Sequence, residues 1–356
     1  MTCSTDLVSE AALNRFCVEV LKQLGVPEDE SKLISECLVE ADLRDVHSHG
    51  VIRFPLYVRR IQSGAYNPRP NIRIVRESRT TAVVDGDNGM GQLVARRAME
   101  IAIRKAKVDG DCVWVAVYNS NHNGTEAYFA EMAAREDMIG FCFTVGGINH
   151  MAPWGGAEGM LGNNPFGIVM PAGGELPVVL DMACSVAARG KVNVAAARNE
   201  PIPEGWCLGP DGSPTTDPHE ALKGFVVPVG GPKGYALTCM VGLLSTMLSG
   251  GAFGSDVTHL YDDLERPQNI GHLLGVLPVA SFCDVADYKN RMDRAVREVK
   301  GVKKAPGVDR IYLPGEREAL AMVERREHGI PLAPGTLAEL DDLGKEFGLA
   351  LERVTG

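Results

Sequence analysis

The sequence lacks the features that mark secreted and membrane proteins. Its nine cysteines stand singly, without a C-x-x-C pair, so a disulfide framework is not indicated. The N-terminus has no basic segment followed by an apolar one, which is the pattern of a secretory signal. The most apolar stretch, residues 235–248, is shorter than the ~20 residues that span a bilayer. We therefore expect a cytoplasmic protein without a membrane segment.

Positive charge is also scarce. The formal net charge is -10 and the pI is about 5.4, whereas proteins that bind nucleic acids or anionic membranes usually carry the opposite sign. Neither is expected as a partner. A small anionic substrate remains compatible with this charge, because a local group of arginines can outweigh the global field.

Two glycine-rich phosphate-binding fingerprints are missing. The dinucleotide pattern G-x-G-x-x-G and the P-loop pattern G-x-x-x-x-G-K-[ST] do not occur. The stretch "DGDNGMGQ", residues 85–92, has its glycines in the order G-x-x-G-x-G. This pattern favours a tight turn between a strand and a helix over a phosphate-binding loop.

What the sequence does contain is an alternation of helical and strand-like segments. Apolar residues recur at three- and four-residue spacing in the first sixty residues, and β-type runs alternate with helical ones after them. The alternation predicts an α/β fold. The predicted helices are 7–24, 27–43, 48–62, 93–107, 124–136, 185–198, 233–249, 284–299, 316–326 and 337–347, and the predicted strands include 72–75, 80–85, 112–120 and 138–145.

The segment "RDVHSHGVIRFPLYVRR" concentrates polar groups where a helix is predicted to begin. His47 and His49 could supply two metal ligands, but no cysteine or glutamate is placed to complete the set. Ser48 lacks the G-x-S-x-G elbow of an activated nucleophile and is better read as a helix N-cap. His49, Arg53 and Tyr57 are four residues apart and share a helical face. Such a face would suit a carboxylate, which arginine binds bidentately.

Two further side chains stand out. His122, in "NSNHNG", follows a strand at the edge where open α/β sheets bind ligands. It could act there as a general acid or base, whereas its asparagine neighbours could cap the next helix. Lys233 opens the most apolar helix, where a cation opposes the helix dipole. Either an anion lies nearby or the side chain extends into solvent.

Taken in order, nine motifs resemble the malate/L-lactate dehydrogenase family of NAD(P)-dependent 2-hydroxyacid oxidoreductases, which lack a Rossmann fold. The resemblance covers nearly the whole chain. The motifs are "SHGVIRFPLYVRRIQSGAYNP", "VDGDNGMGQ", "NSNHNG", "MAPWGG", "GNNPFGIVMP", "LDMACSVAARGK", "GWCLGPDGSPTTDP", "KGYALTCMVGLLSTMLSGGAFG" and "LPGERE".

The resemblance implies an α/β fold with a mixed sheet of the family's own type and with N- and C-terminal helices packed together. Residues 1–75 are expected to form a helical part that packs with the helices of 285–356. Residues 76–284 are expected to form the cofactor-binding domain. The implied cofactor is NAD or NADP, the implied substrate is a small carboxylate, and the implied assembly is a homodimer.

Roles for individual residues also follow from the resemblance. His122 corresponds to the catalytic acid/base, with Ser48 and His49 as further catalytic residues. Arg53 corresponds to the carboxylate anchor, with Tyr57 beside it in the substrate pocket. No metal is implied. The expected cofactor contacts are Asp181, Met182, Ala183, Lys233, Pro314, Gly315 and Glu316.

The chain departs from the family pattern at several positions, which leaves the substrate open. Two alternatives to a 2-hydroxyacid dehydrogenase therefore remain: a reductase of cyclic 2-imino acids, and a catalytically silent ligand-binding dimer. The departing residues are Asp45, His47, Asn123, Val145 and Gly242.

Overall fold

The computed structural model describes residues 7–354 of the chain. Its helices are α1 (Glu10–Gln23), α2 (Glu28–Leu43), α3 (Phe54–Gln62), α4 (Gly91–Asp109), α5 (Glu126–Ala134), α6 (Arg189–Arg198), α7 (Pro218–Lys223), α8 (Pro232–Thr246), α9 (Val285–Gly301), α10 (Glu316–His328) and α11 (Pro334–Phe347). Its strands are β1 (Leu7–Val8), β2 (Arg73–Glu77), β3 (Thr81–Asp85), β4 (Val113–Ser120), β5 (Met138–Thr144), β6 (Phe166–Met170), β7 (Val178–Met182), β8 (Cys207–Leu208), β9 (Pro214–Thr215), β10 (Phe225–Val226), β11 (Ile270–Pro278) and β12 (Ile330–Pro331).

A seven-stranded mixed sheet in the order β2-β3-β4-β11-β5-β6-β7 forms the centre of the molecule. Strands β3 and β4 are parallel, and every other neighbouring pair in this sheet is antiparallel. The smaller strands form a pair, β1-β12, and a three-stranded sheet, β10-β8-β9. The predicted α/β class with a mixed, non-Rossmann sheet is therefore confirmed.

Strand β11 was not predicted, although it is the middle strand of the sheet. All but one of its nine residues are buried, so it shows no alternation of apolar and polar positions. Its two neighbours, β4 and β5, lie far away in sequence. A continuous apolar run without a nearby partner does not reveal its pairing, which explains the omission.

Helices cover both faces of this sheet. The side chains of Cys142 and Leu274 point to the face covered by α4 and α5. The neighbouring residue Phe143 points the other way, and Gly271 on that face lies against the backbone of α8 at Ser245. The carboxyl end of β4 therefore lies beside the first turn of α4, where the candidate site is found.

The N- and C-terminal segments share one hydrophobic core, as predicted. Strands β1 and β12 pair antiparallel, and buried side chains of α1, α2 and α3 pack with Leu337, Leu340 and Leu343 of α11. Helix α9 instead contacts the turn between β6 and β7, where Asp293 accepts the N–H groups of residues 173 and 174. The domain boundaries at 75/76 and 284/285 remain a prediction.

The predicted single helix over residues 48–62 is wrong at its start. Two 3-10 turns, His47–His49 and Val51–Arg53, precede α3. Gly50 separates them because a Cβ there would overlap the carboxylate of Asp42. That carboxylate also accepts the Val51 N–H at 2.7 Å. A contact with the end of α2 thus shapes this segment, and Ser48 does not cap α3.

Within residues 7–354, none of the helices combines the length and apolar character needed to cross a bilayer.

Candidate active site

His122 lies just beyond the carboxyl end of β4 and is hydrogen-bonded to a buried tyrosine. Its Nδ1 is 2.6 Å from Tyr57 Oη. The loop that carries it is held by Asn121, whose Nδ2 donates to the carbonyl of Gly89 at 2.8 Å. The neighbouring asparagine side chains therefore do not cap α5. His122 itself is partly exposed, and no hydrogen bond from the described part of the chain reaches its Nε2.

His49 and Ser48 reach His122 from the 3-10 turns before α3. The His49 ring stacks on the His122 ring, with 5.5 Å between centroids and 16° between planes. Ser48 Oγ is 2.9 Å from His49 Nδ1. The predicted common helical face of His49, Arg53 and Tyr57 does not exist, because the chain turns at Gly50. The fold nevertheless brings these side chains together.

Arg53 is held in place by two contacts. Its Nε donates to the Ser48 carbonyl at 2.7 Å, and its Nη1 donates to Tyr261 Oη. Its guanidinium carbon also lies 5.3 Å from the centre of the Tyr261 ring. Nη2 makes no hydrogen bond with residues 7–354. Tyr261 was missed because it lies in an irregular segment, "HLYDDLERP", that carries no recognisable motif.

Burial and nearby positive charge keep these histidines neutral. Burial lowers the pKa of His122 well below its usual value, and the positive charge of Arg53 adds to the effect. Burial and Arg53 lower the pKa of His49 to about 4. Burial raises the pKa of Tyr57, which therefore stays protonated. A bound carboxylate would raise the pKa of His122 again by favouring its charged form.

The glycine-rich stretch "NGMGQ" positions a buried glutamine rather than cradling a ligand. A Cβ on Gly91 would overlap the carbonyl oxygen of Asn121, so glycine is required where α4 meets the loop before His122. The next residue, Gln92, donates from Nε2 to Tyr57 Oη at 3.2 Å. Gln92, Tyr57, His122, His49, Ser48 and Arg53 are called the His122 cluster below.

A further buried histidine lies on the missed strand β11. His272 Nδ1 is 2.6 Å from Thr144 Oγ1, and His272 Nε2 is 2.8 Å from Ser120 Oγ. Burial lowers its pKa to about 3. The contacts join the ends of β4, β11 and β5 into one rigid edge beneath the loop that carries His122.

Asp181, Met182 and Ala183 lie at the end of β7, where cofactor contacts are expected. Asp181 is exposed at its edge, and its Oδ2 accepts the Ala127 N–H in the first turn of α5 at 2.8 Å. The aspartate thus stabilises the start of α5 while one side of it remains accessible.

The turn Pro314–Glu316 packs against the same strand. The Pro314 carbonyl accepts the Val179 N–H at 3.0 Å, and Gly315, at φ +83°, has its Cα close to the Val179 side chain. Glu316 is buried, accepts the Leu313 N–H at 3.2 Å and pairs with Lys300 at 3.2 Å. Oε2 of Glu316 therefore closes the turn, and Oε1 links it to Lys300 of α9.

Lys233 is exposed in the first turn of α8 and forms no ion pair or hydrogen bond with residues 7–354. The entry to its helix is fixed to the chain beyond β7, since the Val229 N–H donates to the Cys184 carbonyl at 2.9 Å. The predicted cofactor contacts, which are Lys233, residues 181–183 and residues 314–316, are called the Lys233 cluster below.

The residues that depart from the family pattern have partners nearby in the structure. Asn123 Nδ2 donates to Glu126 Oε2 at 2.9 Å, and burial raises the pKa of Glu126 to about 8. Val145 packs in a small buried cluster. At Gly242 a Cβ would lie 2.6 Å from Asn164 Nδ2, so an acidic side chain there would not fit without rearrangement.

Asp45 lies just before the first 3-10 turn, and His47 is the first residue of that turn. His47 Nδ1 is 2.8 Å from Asp42 Oδ1, and Asp45, at φ 66°, pairs with Arg325 of α10. His47 and His49 thus have different partners. Among residues 7–354, no group of three or more His, Cys, Asp or Glu side chains is arranged to hold a metal ion.

Comparison with known proteins gives a consistent result. The family model described as malate/L-lactate dehydrogenase matches residues 8–341. A malate dehydrogenase of Pyrococcus horikoshii is 39% identical over 350 residues, which cover 96% of each chain. An L-sulfolactate dehydrogenase of Methanocaldococcus jannaschii is 39% identical over 338 residues, or 95% of this chain and 96% of the relative. The solved sulfolactate dehydrogenase structure from that organism superimposes with a TM-score of 0.91 at 37% identity, covering 97% and 98% of the two chains.

More distant relatives differ in cofactor and substrate. A ureidoglycolate dehydrogenase (NAD(+)) of Escherichia coli O157:H7 is 34% identical, with 91% of this chain and 92% of the relative covered. A (2R)-3-sulfolactate dehydrogenase (NADP(+)) of Chromohalobacter salexigens is also 34% identical, with 89% and 95% covered. The structure of a delta1-piperideine-2-carboxylate reductase from Pseudomonas syringae has a TM-score of 0.84 at 27% identity, covering 95% and 100%. The expectations of a dehydrogenase family and of NAD or NADP as cofactor are thus confirmed at the level of the family.

Proposed function

Because the chain belongs to the malate/L-lactate dehydrogenase family, and is thereby an oxidoreductase of the 2-hydroxyacid dehydrogenase type, we propose that it transfers a hydride between the nicotinamide of NAD or NADP and C2 of a small 2-hydroxy or 2-oxo acid. The observation that carries this proposal is the His122 cluster, in which a partly exposed imidazole, bonded to Tyr57, lies beside a half-buried arginine.

Arg53 anchors the substrate carboxylate. Two of its nitrogens are already held by Ser48 and Tyr261, so the guanidinium is oriented before the substrate arrives. A guanidinium fixed in this way orients the substrate at little entropic cost, which brings C2 into line for the reaction. The second N–H of Nη1 and the two N–H groups of Nη2 are the donors left for the carboxylate.

His122 exchanges the proton. The neutral imidazole accepts the proton of the C2 hydroxyl as the hydride leaves C2, and the imidazolium returns it to the carbonyl oxygen in reduction. Bound carboxylate and developing alkoxide both favour the charged imidazole, which opposes the effect of burial on its pKa. Ser48 and His49 contribute hydrogen bonds beside the reacting oxygen.

The Lys233 cluster is the proposed cofactor site. The residues fit a dinucleotide on three grounds: Lys233 is an exposed cation that pairs with none of residues 7–354, the 314–316 turn approaches β7 closely at a glycine, and Asp181 is exposed at the end of β7. When bound, the nicotinamide supplies or takes up the hydride. Lys233 contributes charge attraction to phosphate, and the turn contributes backbone groups at close range.

The homodimer remains a proposal, and helix α8 supports it. One face of this helix exposes large apolar side chains that no described residue covers, a pattern typical of an interface rather than of solvent-facing surface. Light scattering of the wild type and of a Met240→Glu variant tests it. A dimer that the variant converts to monomers is expected, and a wild-type monomer with full activity would contradict it. The exposed residues are Leu237, Met240, Leu244, Met247 and Leu248.

A second candidate function is the reduction of cyclic 2-imino acids, which the likeness to the piperideine-2-carboxylate reductase favours. The same arrangement serves a C=N bond, because the anchor holds a carboxylate in both cases. The two candidate functions use the same hydride donor and bind the same carboxylate group. They differ only in the substrate that accepts the hydride.

The test is a substrate panel with NADH and NADPH, followed at the absorbance band of the reduced nicotinamide. The panel contains pyruvate, oxaloacetate, sulfopyruvate and piperideine-2-carboxylate. Turnover of a 2-oxo acid that persists in the presence of a chelator is expected. Turnover of the cyclic imine alone would select the second candidate, and cofactor binding without any turnover would leave a silent ligand-binding dimer.

A further inference from the structure

Gln92 is a buried side chain whose hydrogen bonding is half complete. It lies in the first turn of α4, is 1% exposed, and donates from Nε2 to Tyr57 Oη at 3.2 Å. Its Oε1 is buried and has no hydrogen-bond partner among residues 7–354. A buried amide oxygen without a partner destabilises the fold, so its presence beside the reacting histidine calls for a reason.

The protons in this network can be counted. Tyr57 Oη carries one proton, and because the Gln92 amide donates to Oη, that proton is directed at His122 Nδ1, 2.6 Å away. Nδ1 is then an acceptor, and the neutral ring carries its own proton on Nε2. Nε2 is the nitrogen left for the substrate. In this arrangement it can donate a hydrogen bond, but it has no lone pair with which to accept a proton.

Rotating the Gln92 amide by half a turn reverses the arrangement. Oε1 then faces Tyr57 and accepts its O–H, Oη accepts a hydrogen bond from His122 Nδ1–H, and His122 Nε2 has a free lone pair. The same bonding fits the imidazolium, whose Nδ1 also carries a proton. The oxygen that lacks a partner in the structure is therefore the acceptor that the base and the imidazolium forms of His122 require.

We propose that Gln92 is a positioning residue for proton transfer: the orientation of its amide determines, through Tyr57, which nitrogen of His122 carries the proton. The inference rests on the proposed function, because it assumes that the substrate approaches His122 Nε2. In oxidation the C2 hydroxyl proton moves to His122 Nε2 while the C2 hydride moves to the nicotinamide, and the C2–O bond becomes a carbonyl. The Nδ1 and Oη protons stay where they are, and no proton passes through Gln92.

The test compares Gln92→Leu and Gln92→Glu by ¹⁵N NMR of the imidazole nitrogens. The His122 signals are identified as those missing from His122→Asn. Gln92→Leu offers no acceptor to Tyr57, so neutral His122 should carry its proton on Nε2. Gln92→Glu accepts the Tyr57 O–H, so the proton should move to Nδ1.

The pH profile of kcat/KM for oxidation of the 2-hydroxy acid gives a second readout. If Gln92 had a purely structural role, the two variants would not shift this profile in opposite directions. Gln92→Leu should lower kcat/KM by roughly 10–100-fold, as when outer hydrogen-bond partners of reactive histidines are lost, and should shift the acidic limb to lower pH. Gln92→Glu should shift that limb to higher pH. The other groups that act on His122, namely His49, Arg53 and His272, are unchanged in both variants.

A double-mutant cycle tests the route through Tyr57. Once Tyr57→Phe has removed the hydroxyl, adding Gln92→Leu should cause no further loss of kcat/KM. The matched control is Gln62→Leu, an exposed glutamine on α3 that bonds Glu346 instead and should leave the pH profile unchanged. Should Gln92→Leu fail to fold, Gln92→Glu and Tyr57→Phe still decide the matter.

Three results would overturn the inference: the same His122 tautomer in all variants, limbs that do not move, or fully additive losses in the cycle. The NMR readout does not require turnover, so it tests the role of Gln92 separately from the proposed function. An active wild type with an unchanged tautomer in the variants refutes the role of Gln92. A wild type that reduces no 2-oxo or 2-imino acid refutes the proposed function itself.

Discussion

The His122 cluster and the Lys233 cluster differ in how far their interactions are completed within the chain. In the first, Tyr57, Ser48 and Arg53 each have a fixed partner in the protein. In the second, Lys233 is exposed and has no partner in the described part of the chain, and the adjoining face of α8 carries apolar side chains that no described residue covers. The first region is organised before any ligand arrives, whereas the second presents groups that a ligand or another subunit would complete.

This difference predicts how variants fail. A preorganised cluster stabilises charge in the transition state without rearrangement, so its loss reduces the chemical step. An exposed cation acts on the cofactor in the ground and transition states alike, so its loss weakens binding and leaves the chemical step nearly unchanged.

His122→Asn removes the proposed proton donor and keeps a polar side chain. We expect kcat to fall by roughly 10²–10⁴-fold, which is typical of a lost general acid, while the Kd of the cofactor is nearly unchanged. The pH profile should lose one limb. Steady-state kinetics across the neutral range, with a separate cofactor titration, checks both statements. A variant with near-normal kcat and an intact profile would transfer the role to another group, and His49 would be the first to examine.

Arg53→Lys keeps the positive charge but loses the planar fork. We expect a higher KM for 2-oxo acids and a lower kcat through misorientation, together a roughly 10–100-fold loss in kcat/KM, in line with the strength of charge-assisted hydrogen bonds. The matched control is Arg59→Lys, an exposed arginine paired with Glu346 that should change neither constant. Equal kinetics for the two variants would remove Arg53 from the substrate site.

Lys233→Ala is expected to affect the second region alone. Cofactor affinity should fall by about tenfold, equivalent to about 1.4 kcal/mol, while kcat at saturating cofactor stays close to that of the wild type. Fluorescence titration with NADH and NADPH measures the affinity. Lys223→Ala, an exposed lysine on α7 paired with Glu220, is the control. An unchanged affinity in Lys233→Ala would show that the phosphates lie elsewhere.

Glu126→Gln should have the smallest effect on activity and a clear effect on stability. Burial raises the pKa of Glu126 from 4.5 to about 8. Between these values the folded state holds a proton that the unfolded state releases, so stability falls as pH rises through this window. Gln cannot ionise, so the variant lacks this decline. Denaturant unfolding should show it to be more stable than the wild type above pH 8, and a difference that does not grow with pH would contradict the assignment.

Much of the fold could be read from the sequence, because α4, β4, α5 and β5 carry their own periodicity and end at recognisable turns. Strand β11 could not, since a fully buried run has no alternation and its neighbours are distant in sequence. The helix expected from residue 48 failed because Asp42, at the end of α2, draws Gly50 and Val51 toward it. A local pattern does not contain such a contact.

The candidate site divides in the same way. His122 and Arg53 could be found from residue type and from the motifs. Tyr261, which accepts a hydrogen bond from Arg53, and His272, which joins the strand ends beneath the loop of His122, could not, because a loop and a buried strand bring them in from far along the chain. Gln92 stands in the motif "GMGQ", but the glycines of this motif predicted only a turn. Its contact with Tyr57 depends on the packing of α4 against the loop before His122.

The most direct test of hydride transfer in this site uses a reduced cofactor in which both hydrogens at C4 of the nicotinamide are replaced by deuterium. The wild type is incubated with this cofactor and with the 2-oxo acid that the panel identifies, and the product is examined by mass spectrometry and NMR. The account predicts one deuterium at C2 of the 2-hydroxy acid, and almost no labelled product from His122→Asn over the same time. A product without deuterium at C2, or equal labelling by both proteins, would contradict it.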